Sequence, residues 1–266
     1  MTWRVPRYGY LHAFRDAIVE STNAETANED ALRDDRRADL CVSTDADMVV
    51  NFDRGTGTIA PVNRFWIPGA WAGSGADITI SLFASTTTSG GTDLLLDGPG
   101  PTTILAADNG KPFYWDFAAD NTLRYLRLEL ATVGPEIISI GEGVATKMVP
   151  TIRGPAQGWT DEQQDNRLSF AKESGAIYSV ALGPPLRRIE YDYRILDDAS
   201  DIATFDALLA AVGTYAPFLL DPAYDTEDPV WMRFDRDPRI TEDSPAPRTV
   251  SYIRRRWDLE MLEALA

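Results

Sequence analysis

Two hydrophobic periods divide this chain. Asp77-Ile78-Thr79-Ile80-Ser81-Leu82-Phe83 and Leu123-Arg124-Tyr125-Leu126-Arg127-Leu128-Glu129-Leu130 alternate apolar and polar positions. A period of two predicts strands with one buried and one solvated face. Met48–Phe52, Val62–Pro68 and Ile137–Gly141 predict further strands, each closed by Gly or Pro punctuation. From Ala38 to about Thr146 no helix-length pattern intervenes, so this stretch predicts an antiparallel β-sandwich.

The texture changes at Val149-Pro150-Thr151-Ile152-Arg153-Gly154-Pro155, which places a domain boundary. Beyond it, Ile177–Leu182 and Arg187–Leu196 predict strands flanking the turn Gly183-Pro184-Pro185. Ile202, Phe205, Leu208, Leu209 and Val212 then recur at helical spacing, predicting an amphipathic helix over 200–213. Asp198, Ser200 or Asp201 supplies its N-cap and Gly213 its stop. So short a helix needs a sheet to pack on. Strands follow at Pro217–Pro222, Val230–Phe234 and Thr249–Leu262. Before residue 38 the pattern is weaker: His12–Val19 reads as a short helix, and Glu20–Asp30 as polar loop. The chain is therefore expected to be mainly β: a 1–37 segment that pairs with the carboxy-terminal domain, a 38–148 sandwich, and a 149–266 β domain with one packed helix.

Composition removes several functions. The chain has 266 residues, 44% hydrophobic, which is enough for two buried cores. No apolar run reaches the roughly 20 residues of a membrane helix, and the start lacks a secretory core, so cytosolic folding is expected. The single Cys41 permits no internal disulfide and no thiolate metal cluster, and its setting predicts a buried strand start. A net charge of −16 repels phosphates and argues against nucleic-acid binding.

Catalytic equipment is sparse. The only histidine is His12, and no Gly-x-Ser-x-Gly elbow accompanies it. Among 41 acidic residues, nothing singles out a hydrolytic carboxylate pair. Asp45 and Asp47, Asp93 and Asp97, and Asp108 with Asn109 have the spacing of loop oxygen ligands, but no EF-hand pattern is present. The expectation is no catalytic residue, no metal and no cofactor. Aromatic residues crowd the sandwich: Phe65, Trp66, Trp71, Phe83, Phe113, Tyr114, Trp115 and Phe117. Trp66 and Phe83 read as core. Trp71 and Tyr114 lie beside turns and, with Trp115, are candidate contacts for carbohydrate or a partner. Arg254 and Arg256 share one face of a strand and are candidate contacts to a neighbouring subunit.

Ser43-Thr44-Asp45-Ala46-Asp47-Met48-Val49-Val50-Asn51-Phe52-Asp53, Val62–Gly69, Asp77–Ile80, Tyr125–Leu130 and Ile138–Glu142 together resemble the strands of discoidin-type jelly-roll modules. Phe205…Leu208-Leu209, Pro217-Phe218-Leu219-Leu220-Asp221-Pro222 and Val230-Trp231-Met232-Arg233-Phe234 resemble tail-tip proteins of long-tailed bacteriophages, the distal tail protein type. That resemblance implies a virion part, assembled in the host cytoplasm, that forms a ring joining the tail tube to hub or fibre proteins. The ring would be hexameric, or alternatively trimeric. It implies a jelly-roll-like sandwich on the outside, with host surface glycans as a further contact; the net charge of −16 then adds the expectation of an acidic lumen along which DNA slides. The usual distal tail protein puts its ring domain first, whereas here the order is reversed or the sandwich is inserted after an initial strand. A carbohydrate-binding adhesion module is the alternative function.

Overall fold

The computed structural model describes residues 5–10, 12–24, 29–32, 40–87, 94–95, 102–151, 154–155, 160–164, 167–171, 177–181, 186–196, 199–213, 216–222, 228–235, 238–243 and 254–264. Two compact units are present. One comprises Tyr8–Val149 with Glu227–Pro229; the other comprises Met1–Arg7, Pro150–Thr226 and Val230–Leu265.

The first unit is an antiparallel β-sandwich. In chain order, β1 (Arg7–Gly9) spans the division between the units, and the first unit carries β2 (Ile18–Thr22), β3 (Cys41–Val42), β4 (Asp47–Asp53), β5 (Val62–Ile67), β6 (Ala70–Ala72) and β7 (Ile78–Ser85). These are followed by β8 (Leu94–Leu95), β9 (Thr102–Ile104), β10 (Phe113–Asn121), β11 (Tyr125–Thr132), β12 (Ile138–Ile140) and β13 (Val144–Thr146), and β14 (Val149–Pro150) again spans the division. A six-stranded sheet runs β2-β4-β11-β7-β8, with β9 also on β7. Two three-stranded sheets, β10-β5-β13 and β3-β12-β6, complete the unit.

Alternation builds the core. Met48, Val50 and Phe52 of β4, Ile80 and Leu82 of β7, and Leu126, Leu128 and Leu130 of β11 point inward and are buried. They share one cluster with Phe65, Ile67, Trp115 and Phe117 of the smaller sheet. Each such side chain contributes about 1.5–3 kcal/mol on burial.

The stretch before residue 38 departs from expectation. His12–Val19 is not a helix: residues 13–16 form a turn, and Ile18 opens β2. Glu20, Ser21 and Thr22 lie in that strand rather than in a loop. Pairing with β4, Ile18 to Asp53 and Thr22 to Val49, supplies the hydrogen bonds that local propensity does not. Phe14, Ala17 and Leu32 enter the sandwich core, and Phe14 stacks on Phe52 with ring centroids 3.8 Å apart. Of the described residues in this stretch, Val5, Pro6 and Arg7 group with the second unit, where Arg7 Nε donates to the buried Asp221 carboxylate at 2.8 Å.

The second unit holds β15 (Thr160–Gln164), β16 (Arg167–Ala171), β17 (Ile177–Ala181), β18 (Leu186–Leu196), α1 (Ala199–Val212), β19 (Phe218–Asp221), β20 (Val230–Phe234), β21 (Arg239–Asp243) and β22 (Arg254–Glu263). Its sheet runs β19-β20-β22-β18-β15, with β21 also on β22; β16 and β17 pair with each other. Asp161–Arg167, expected as a polar stretch, contains most of an edge strand. All five residues of β15 are exposed, and Arg187 of β18 clasps Asp161 at 3.0 and 2.5 Å. The turn at 183–185 and the N-cap candidate Asp198 lie outside the described residues.

Helix α1 packs as its apolar stripe predicts. Phe205, Leu208 and Val212 are buried, and Ile202 and Leu209 are half-buried. The Phe205 ring lies 4.9 Å from Tyr193 of β18. Ser200 and Asp201 fall inside the first turn instead of capping it, and Asp201 is buried. Gly213 adopts φ +56°, donates to Leu209 O, and ends the helix. No helix among the described residues is long and apolar enough to cross a membrane.

Candidate functional site

Three loops of the sandwich unit surround Trp71. Strand β6 places it opposite Ser139 of β12. The Gly110 N–H donates to Ala70 O at 2.8 Å, which fastens the 105–111 turn against β6. Ala106 N–H donates to the Asp77 carboxylate at 2.7 Å, and Gly73 N–H donates to Ile137 O at 3.1 Å. The turn beside Trp71 and the 133–137 loop therefore both border the 70–77 segment.

Trp71 is 38% exposed, a large value for a tryptophan in a folded unit. Its indole rests along two glycines. A Cβ at Gly110 would lie 2.5 Å from Trp71 Nε1, and one at Gly69 would lie 3.0 Å from the far corner of the ring. Gly110 has φ +80°, in the left-handed region that favours glycine. Polar groups flank the shelf. Lys111 pairs with Asp108 at 2.7 Å, and Asn109 Nδ2 donates to Ala76 O at 3.4 Å. Asn109 Oδ1 is buried with no hydrogen-bond partner among the described residues. Leu105, Val133 and Ile137 are also strongly exposed on these loops. The arrangement offers an apolar ring face next to donors and acceptors, the combination that a sugar ring with its C–H face and hydroxyls engages.

The other aromatic candidates separate. Tyr114 and Trp115 are neighbours on β10, so they face opposite ways. Tyr114 is half-buried, with the Arg64 guanidinium 4.8 Å from its ring centre. Arg64 in turn makes two bonds to Asp116, at 2.6 and 2.7 Å. Trp115 is only 7% exposed. It packs against Phe65 and Phe113, and its Nε1–H donates to Thr102 Oγ1 at 3.2 Å. Trp115 is thus a core residue and no contact candidate. The alternation Phe113, Trp115, Phe117 carried that signal. Trp66 is buried as expected, whereas Phe83 is half-buried beneath the Arg127 guanidinium, 4.9 Å from its centre.

Arg254 and Arg256 lie in β22 opposite Asp243 and Thr241 of β21, and the intervening Arg255 is also opposite Leu196 of β18. Their backbone is therefore inside a sheet and not at a free edge; their side chains lie outside the described residues.

His12 is buried. Phe14 N–H donates to its Nδ1 at 3.3 Å, so the ring proton sits on Nε2, which lies 3.2 Å from the buried Glu142 carboxylate. Burial, with the Arg15 charge second, depresses its pKa to about 3. Cys41 is buried in β3, 3.8 Å from Met48 Sδ. Among the described residues no three His, Cys, Asp or Glu side chains gather to hold a metal. Asp45 accepts from Ala46 N–H and Asp47 from Asn23, while Asp93 and Asp97 lie outside the described residues.

No protein-family model matches the chain, and no curated protein matches it significantly. The solved structures that resemble it cover about half of its length. One is a family 32 carbohydrate-binding module, CpGH89CBM32-6 from Clostridium perfringens: 19% identity, 51% of this chain and 97% of that one, TM-score 0.35. A second is the family 32 module of NanJ from C. perfringens, solved with galactose: 14% identity, 53% and 98%, TM-score 0.40. A third is the CBM32 of AlyQ, solved with 4,5-unsaturated mannuronic acid: 14% identity, 52% and 96%, TM-score 0.38.

Proposed function

We propose that this chain is a non-catalytic binding protein whose β-sandwich takes carbohydrate at the Trp71 shelf. One observation carries the reading: an indole 38% exposed, laid on Gly69 and Gly110 and edged by Asp108, Asn109 and Lys111. A core tryptophan needs no such shelf, and a solvated loop rarely supports so large an apolar ring. The test is a glycan array, repeated with Trp71→Ala.

A second reading concerns assembly. Among the described residues the second unit ends its sheet in β15, a strand paired there on one side and exposed at all five residues. Open edges of this kind suit strand addition between copies. That supports a ring-forming role in a bacteriophage tail tip, as hexamer or trimer, next to tail tube, hub or fibre proteins, with the sandwich facing host glycans. Under this reading the protein belongs to the virion and has no enzymatic activity. The mass of the purified protein in solution tests it: a closed oligomer supports the ring, and a monomer at high concentration removes it.

A further inference from the structure

The outward face of the six-stranded sheet carries a second feature, remote in sequence from the Trp71 loops. Register places Ile18, Asp53 and Tyr125 in one cross-strand row. The next row holds Glu20, Asn51 and Arg127. Ile18, Glu20, Asn51, Asp53 and Tyr125 line a small, partly open depression of about 60 Å³, well below the size of a small-molecule pocket.

The charges there do not cancel. Arg124 donates to both oxygens of Asp53, at 2.6 and 2.5 Å, and this holds the Asp53 carboxyl below the usual carboxylate range. Arg127 is drawn away, with its Nε 2.9 Å from Glu129 and its guanidinium over Phe83. Glu20 is exposed and has no ion-pair partner among the described residues, so the depression keeps one negative charge. Ile18, 62% exposed, forms an aliphatic lip. One face of Tyr125 is already covered by the Arg124 guanidinium, 4.7 Å from the ring centre, which disfavours a stacked sugar.

We propose that this depression docks a lysine side chain from a basic partner protein. A lysine ammonium has three donors and no acceptor. Glu20, Asn51 Oδ1 and the Tyr125 hydroxyl offer three oxygens from three adjacent strands, and Ile18 covers the aliphatic stem. The net charge of −16 draws basic partners to the surface before contact. The proposal does not depend on the Trp71 surface.

The test is an NMR titration of the full chain with Nα-acetyl-lysine amide. Nα-acetyl-norleucine amide and glucosamine serve as probes lacking, respectively, the charge and the alkyl stem. The expected result is shift changes confined to Ile18, Glu20, Asn51 and Tyr125 with the lysine probe, weakened about tenfold in Glu20→Gln. Glu20 is exposed, and an unchanged melting temperature confirms that the variant folds. Equal shifts with norleucine, tighter binding of glucosamine, changes centred on Trp71 and Gly110, or no effect of Glu20→Gln would each overturn the proposal.

Discussion

Gly110 lies against the indole of Trp71 so closely that a Cβ on it would come within 2.5 Å of Nε1. Its φ of +80° is also one that side chains rarely adopt. The turn and the exposed ring are therefore one constructed feature. Gly110→Ala should cost about 1–3 kcal/mol in urea unfolding and displace the Trp71 ring. A neutral substitution with unchanged tryptophan fluorescence would show that nothing holds the ring there.

Acid should weaken the sandwich through His12. Its folded pKa, about 3, lies below the ordinary 6.5 because burial and then Arg15 disfavour the imidazolium, with Glu142 the other charged group facing it. Between those values the unfolded chain binds a proton that the folded one refuses. Stability is then complete above pH 6.5 and falls towards pH 3, by at most about 1.4 kcal/mol per unit. Denaturation midpoints across that range should show the slope, and His12→Asn should flatten it.

The second unit depends on the helix–sheet contact. Phe205 is fully buried and meets Tyr193 at 4.9 Å. Phe205→Ala should destabilise by about 3–5 kcal/mol, while Ala203→Ser on the exposed face should change stability by under about 0.5 kcal/mol. Equal effects of the two substitutions would contradict this packing.

How much of this was legible depended on burial. Val230–Phe234 was predicted with its observed bounds, and the helix within one residue at each end, because buried positions impose a strict period. The expected antiparallel sandwich is present for the same reason. Strands β2 and β15 escaped because edge strands with exposed residues carry little hydrophobic alternation; register with β4 and β18 makes them strands. At the site, Trp71 was visible as an aromatic beside a turn. Its glycine shelf was not, since Gly69 and Gly110 are 41 positions apart in sequence and meet only in the fold. Trp115 lies beside Tyr114 in sequence, but its period-two spacing with Phe113 and Phe117 puts it on the inward face of β10.

Assembly has its own readout. Light scattering after size exclusion should report a closed multiple of the 29.4 kDa chain if the open edge of β15 pairs between copies. A mass that stays at one chain across a hundredfold concentration range would leave β15 a solvated edge.

The central claim is that Trp71 is a binding surface. A glycan array with the full chain, followed by titration of the best hit against Trp71→Ala, tests it most directly. The account predicts measurable binding that falls tenfold or more in the variant, about 1.4 kcal/mol, at unchanged melting temperature. Silence across the array, or equal affinity in wild type and variant, would contradict it.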